Sequence, residues 1–129
     1  MGKYGYAAVK ATRLYHDRQA ATPNQAWELA VREIFPGHTA SQQKGCPRNA
    51  YLGLCENGDV VGIEEGNYCR SERNKGYAIK ALSLIKQDPT STWEEQTLWD
   101  AVMEGAEIVH NHQMDVVLSL WKAGLIQHR

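Results

Sequence analysis

A run of residues near the start of this chain recurs past its middle. Gly5-Tyr6-Ala7-Ala8-Val9-Lys10-Ala11 returns, one residue shorter, as Gly76-Tyr77-Ala78-Ile79-Lys80-Ala81. Ala26-Trp27-Glu28-Leu29-Ala30-Val31 is echoed by Leu98-Trp99-Asp100-Ala101-Val102-Met103, and Leu52-Gly53-Leu54 with Gly58 by Leu118-Ser119-Leu120 with Gly124. Blocks that recur in one order predict two pseudo-repeats, 1–63 and 71–129, joined by a loop over 64–70. Each carries three amphipathic helical patterns. The expected fold is therefore all-α: a compact bundle of about six helices around a pseudo-twofold axis, with at most one short β-hairpin near residues 60–70.

A chain of 129 residues fits one domain, 1–129, and can bury an ordinary core without disulfides. Cys46, Cys55 and Cys69 are odd in number and form no Cys-x-x-Cys pair, which argues for reduced thiols and against a zinc ribbon. No apolar run approaches the roughly 20 residues of a membrane span, and Met1-Gly2-Lys3-Tyr4-Gly5-Tyr6 has no apolar signal core. A cytoplasmic protein with no membrane partner is expected.

The helices are read from period and caps. The first, about Tyr6 to Gln19, puts Ala8, Ala11 and Tyr15 on one stripe. Thr22-Pro23 with Gln25 opens the second, whose apolar face is Ala26, Trp27, Ala30, Val31 and Ile34. Cys46-Pro47 opens a helix burying Ala50, Tyr51, Leu54 and Cys55, which Gly58 can end in the left-handed conformation. Ser71 or Asn74 caps a helix bearing Ala78, Ala81, Leu82 and Ile85, and Ser91 or Thr92 one bearing Leu98, Trp99, Val102 and Met103. Asn111 is the expected cap of the last, where Met114, Val116, Val117, Leu118, Leu120 and Trp121 leave few polar positions. That helix should be central. Gly124 can close it, with Leu125 folding back on Leu120. Val60, Val61 and Ile63 favour extended backbone, so residues 59–70 are either a short hairpin or an ordered linker.

Gly2-Lys3-Tyr4-Gly5-Tyr6-Ala7-Ala8-Val9-Lys10-Ala11, Lys44-Gly45-Cys46-Pro47, Leu52-Gly53-Leu54-Cys55 and Asn74-Lys75-Gly76-Tyr77-Ala78 resemble a family of short uncharacterised bacterial proteins with no assigned function, of a kind found on mobile gene cassettes. The resemblance covers nearly the whole chain. It implies a bacterial cytosolic protein and brings no catalytic or binding residues.

Charge is distributed unevenly. Arg70, Arg73, Lys75, Lys80 and Lys86 face the single acid Glu72, whereas residues 88–107 carry six acids and no Lys or Arg. Ordinary solvated faces account for this. The sharper reading is an anion or partner site at the repeat junction, formed by Arg70, Arg73, Asn74 and Lys75 at a helix start together with Tyr68 and Tyr77. A helix-turn-helix with a hairpin wing over Ser41–Arg70 would add Arg48 and Asn49 as base-reading residues. The slight net acidity, −1, disfavours nucleic acid.

Catalytic chemistry finds little to use. His110 and His112 could ligate a metal with Asp115, but no other Cys or His spacing closes a site, so a polar cluster at a helix cap is expected, with no metal and no cofactor. Cys46, beside Lys44 and Arg48 at a helix start, is the one candidate nucleophile, with His38 or His112 as bases only if the fold brings them near; a packing role is favoured. No GxGxxG, GxSxG or Walker pattern occurs. The preferred reading is a non-enzymatic helical module that binds an unidentified protein or anionic ligand. A helix-turn-helix-like nucleic-acid binder and a small Cys46-dependent enzyme are the alternatives.

Overall fold

The structure, a computed structural model, describes residues 1–128. The chain is all-helical: α1 (Lys3–His16), α2 (Pro23–Ile34), the single turn α3 (Thr39–Gln42), α4 (Gly45–Glu56), α5 (Glu72–Gln87), α6 (Glu95–Met103) and α7 (Gln113–Lys122). No strand forms among the described residues, and residues 59–70 are an irregular connection. Val60 does reach extended pairing, but with Ile126 near the other end of the chain.

Local signals set several boundaries as read. The Thr22 side chain accepts from the Gln25 amide at 3.1 Å with Pro23 in the first turn, and Ser71 accepts from the Asn74 amide at 3.2 Å. Other boundaries move for non-local reasons. The first helix starts at Lys3 because Asp115, on α7, accepts from the Gly2 amide at 2.8 Å and the Gly5 amide at 2.7 Å. It ends at His16, where Arg18 takes a positive φ of 60°. Residues 88–91 close a turn, Ser91 N–H to Asp88 C=O at 3.2 Å, so neither Ser91 nor Thr92 caps the next helix, which begins at Glu95. The last helix is capped by His112, at φ 68°, and not by Asn111.

Every residue of α7 from Gln113 to Leu120 is buried, which makes it the central helix. It packs against α1, α4, α5 and α6, while α1 covers α2 and α4 covers α5. Two close approaches depend on small residues. A Cβ on Gly5 would stand 1.9 Å from Ser119 Oγ, and one on Gly53 would stand 2.7 Å from the Lys75 Cα.

The ends of α4 and α7 are built alike and joined. Gly58 (φ 78°) donates to the Cys55 carbonyl and Asp59 to that of Leu54; Gly124 (φ 72°) donates to Trp121 and Leu125 to Leu120. The segments after the two glycines pair reciprocally about Val60 and Ile126: Val61 N–H to Leu125 C=O at 2.9 Å, and Gln127 N–H to Asp59 C=O at 2.7 Å. Trp27 and Trp99 are both buried.

Candidate functional site

The sequence-derived site residues divide between several places. Tyr68, Arg70 and Lys75 gather where α4 meets the start of α5. Glu56 Oε1 accepts from the Tyr68 and Cys69 amides at 2.9 and 3.1 Å, and its Oε2 pairs with Lys75 Nζ at 2.6 Å. The Lys75 ammonium beside it, joined by those two amides, holds the Glu56 carboxyl below the usual carboxylate range, and Glu56 in turn raises Lys75. Lys75 is therefore spoken for. Asn49 Oδ1 accepts from the Arg70 amide at 3.1 Å and its side-chain amide donates to Gly45, so it serves the junction between α4 and α5. Asn74 is buried, accepting from Gln113 at 3.1 Å. Arg48 turns toward Glu28, 3.5 Å away, and Tyr77 packs edge-on against Trp99. Of the charged residues expected at the site, Arg70 and Arg73 are the two that stand exposed without an ion pair among the described residues. Cys46 is partly exposed in the first turn of α4, and Cys55 is buried, its thiol raised above the range where it ionises.

A larger concentration of uncommitted polar groups lies where α1, α4, α6 and α7 begin. A cleft of about 580 Å³ opens there, of the size that takes small ligands. Lys3 and Tyr4 enter it from α1, Lys44 from the residue before α4, Glu95 from the first turn of α6, and His110 and His112 from the segment before α7. Phe35, Tyr4 and His112 run in a row along it, with ring centroids 4.7 and 4.8 Å apart. Lys3 Nζ sits 5.6 Å from the centre of the Phe35 ring. Tyr4 donates its hydroxyl to the Ser41 carbonyl at 2.9 Å, which fixes the aromatic row against α3.

The charges of this cleft differ in availability. Both Asp115 oxygens are occupied, by the Gly2 and Gly5 amides and the Ser119 hydroxyl, and the residue is 3% exposed. Lys3, Lys44 and Glu95 enter no ion pair among the described residues. His112 is held below the ordinary histidine range, first by burial and then by the Lys44 charge, with Asp115 and Glu95 pulling weakly the other way. Nδ1 of His110 is buried without a hydrogen-bond partner, and so is Trp93 Nε1, whose ring lines an adjoining hollow of about 330 Å³ shared with Glu95 and Asp115. The His110 and Trp93 rings both line hollows shared with Glu95 and Asp115, while a third such nitrogen, Trp27 Nε1, sits in the core. A second cleft of about 590 Å³ lies beside Tyr15 and Gly62, but its histidine, His16, is already bonded to the Val61 carbonyl at 2.6 Å.

The sequence groups His110, His112 and Asp115 only as possible metal ligands and places Lys44 only beside Cys46, so the cleft as a whole is not assembled from it. The residues come from five separated stretches with no fixed spacing. The one local signal was His-x-His before an apolar helix, and it reads equally well as a cap.

Among the described residues no helix is long and apolar enough to cross a membrane, and no three His, Cys, Asp or Glu side chains converge as metal ligands. Fold and cleft together define a small all-helical protein built around one buried helix, with a cleft lined by aromatic and charged side chains at its start. The chain belongs to a family of unknown function, DUF6979, whose model matches residues 1–127. No curated protein and no solved structure matches it.

Proposed function

We propose that this chain is a non-enzymatic binding module and that its site is the cleft at the starts of α1, α4 and α7. The observation that carries this is the set of unpaired charges there: Lys3, Lys44 and Glu95 line one cavity of about 580 Å³ beside the His110 and His112 rings and enter no ion pair among the described residues. The cleft also lies between the two halves of the chain, since α1 and α4 meet α7 across it.

Native mass spectrometry over a panel of small carboxylates, sugar phosphates, nucleotides and amino acids tests the reading. A saturable adduct that Lys44→Glu removes and Arg73→Glu retains is the expected result. No saturable adduct with any member, or an adduct indifferent to Lys44→Glu, overturns it. Loss in Arg70→Glu and Arg73→Glu instead moves the site to the start of α5, where the charge pattern of the sequence first placed it.

A further inference from the structure

Which ligand the cleft takes is constrained by which of its charges remain free, and this step rests on the cleft being the binding site. Asp115 is consumed in holding α1 to α7, so a cation would find only Glu95, while two lysines remain unpaired. His112 lines the same cleft. The groups that face it are Tyr4 from α1, Lys44 ahead of α4, Glu95 from α6, Asp115 from α7 and His110 from its own segment. An empty cleft penalises a proton on this ring, because the ring is half-buried and Lys44 is near. An anion between Lys44 and His112 reverses that penalty, and by linkage the proton then favours the anion equally.

We propose that the ligand of this cleft is an oxyanion-bearing small molecule, a carboxylate, sulfate or phosphate, held by Lys3 and Lys44 and taken up together with a proton on His112. The left-handed backbone at His112, φ 68°, fits this role. Arg18 and Glu104 share this conformation, and at His112 it falls on the residue that lines the cleft at the start of the central helix.

Sulfate and formate keep a constant charge between about pH 5 and 8, the range in which histidine titrates, so either can serve as probe without titrating itself. The His112 ring proton is followed by NMR across that range at constant ionic strength, with chloride as control. The expected result is a rise of the His112 midpoint on adding sulfate or formate, with binding roughly fivefold or more tighter at the acid end. The stronger probe distinguishes a tetrahedral head group from a carboxylate. Lys44→Gln should weaken binding at both ends of the range. His112→Asn, which tolerates the same backbone conformation, should leave binding that no longer depends on pH. If neither ion moves the His112 midpoint while the mass-spectrometric adduct persists, the oxyanion inference falls and the cleft stands. Binding with an unchanged pH dependence in His112→Asn overturns the proton coupling alone. Loss of the adduct removes the cleft itself.

Discussion

Glu56 shows how much a single carboxylate can tie together. It joins the end of α4 to residues 68 and 69 and to Lys75 on α5. Its folded pKa is lowered, so its contribution is present above the ordinary glutamate value of about 4.3 and is lost as pH falls through the folded value. Lys75 is raised, so its share is present below about 10.4 and is lost as pH rises through the folded value. Urea unfolding of Glu56→Gln should show a loss of about 1–3 kcal/mol at neutral pH and a shallower acid limb than the parent protein. An unchanged acid limb would assign the acid sensitivity to another carboxyl.

The two buried tryptophans make a sharper pair of residues. Trp99→Ala should cost about 3–5 kcal/mol, as removal of a large core ring does. The indole of Trp99 donates to the Ile108 carbonyl at 2.6 Å, whereas that of Trp27 is buried with no acceptor. Truncation to Phe removes similar bulk from both. Trp99→Phe should therefore cost about 1 kcal/mol more than Trp27→Phe, measured by denaturant unfolding.

At the scale of elements, the first helix owes its beginning to the last. No residue near Gly2 offers a side-chain cap, and Asp115 supplies one from α7. Asp115→Ala should cost about 1–3 kcal/mol and lower amide protection over residues 3–6, read by hydrogen exchange. Protection lost evenly along the helix would mean that packing, not capping, holds its start. This arrangement also shows what the sequence could reveal. Thr22-Pro23, Ser71, Gly58 and Gly124 carry their signals within a few residues, so those ends of helices, the helical class and the centrality of α7 were legible. A cap reaching over 110 or more residues has no local signature, and the first helix was accordingly read three residues short. Val60-Val61 has true strand character, but its pairing partner lies near residue 126, so of the two readings of residues 59–70, a short hairpin or an ordered linker, the linker forms. The cleft was illegible for the same reason, being assembled from ends that only the packing brings together.

For the whole molecule, the two halves hold one another through extensive helix pairings. The first helix lies against α7 and the fourth against α5, each pairing an element before residue 60 with one after residue 70. Descent of the halves from one three-helix unit is a proposal that these reciprocal pairings and the matched endings of α4 and α7 support. Physically, such a build predicts that residues 1–66 and 67–129, expressed apart, are poorly structured by circular dichroism and recover helix on mixing. Two independently folded fragments with cooperative melting would count against it.

The paired strap beyond Gly58 and Gly124 has a consequence for folding order. The amides of Val61 and Gln127 are bonded only across the halves, so neither can be protected from solvent by any one helix or by either half alone. They are natural timers of assembly: under native conditions both should exchange together, at the rate at which the strap opens, and in refolding both should gain protection only after the halves have met.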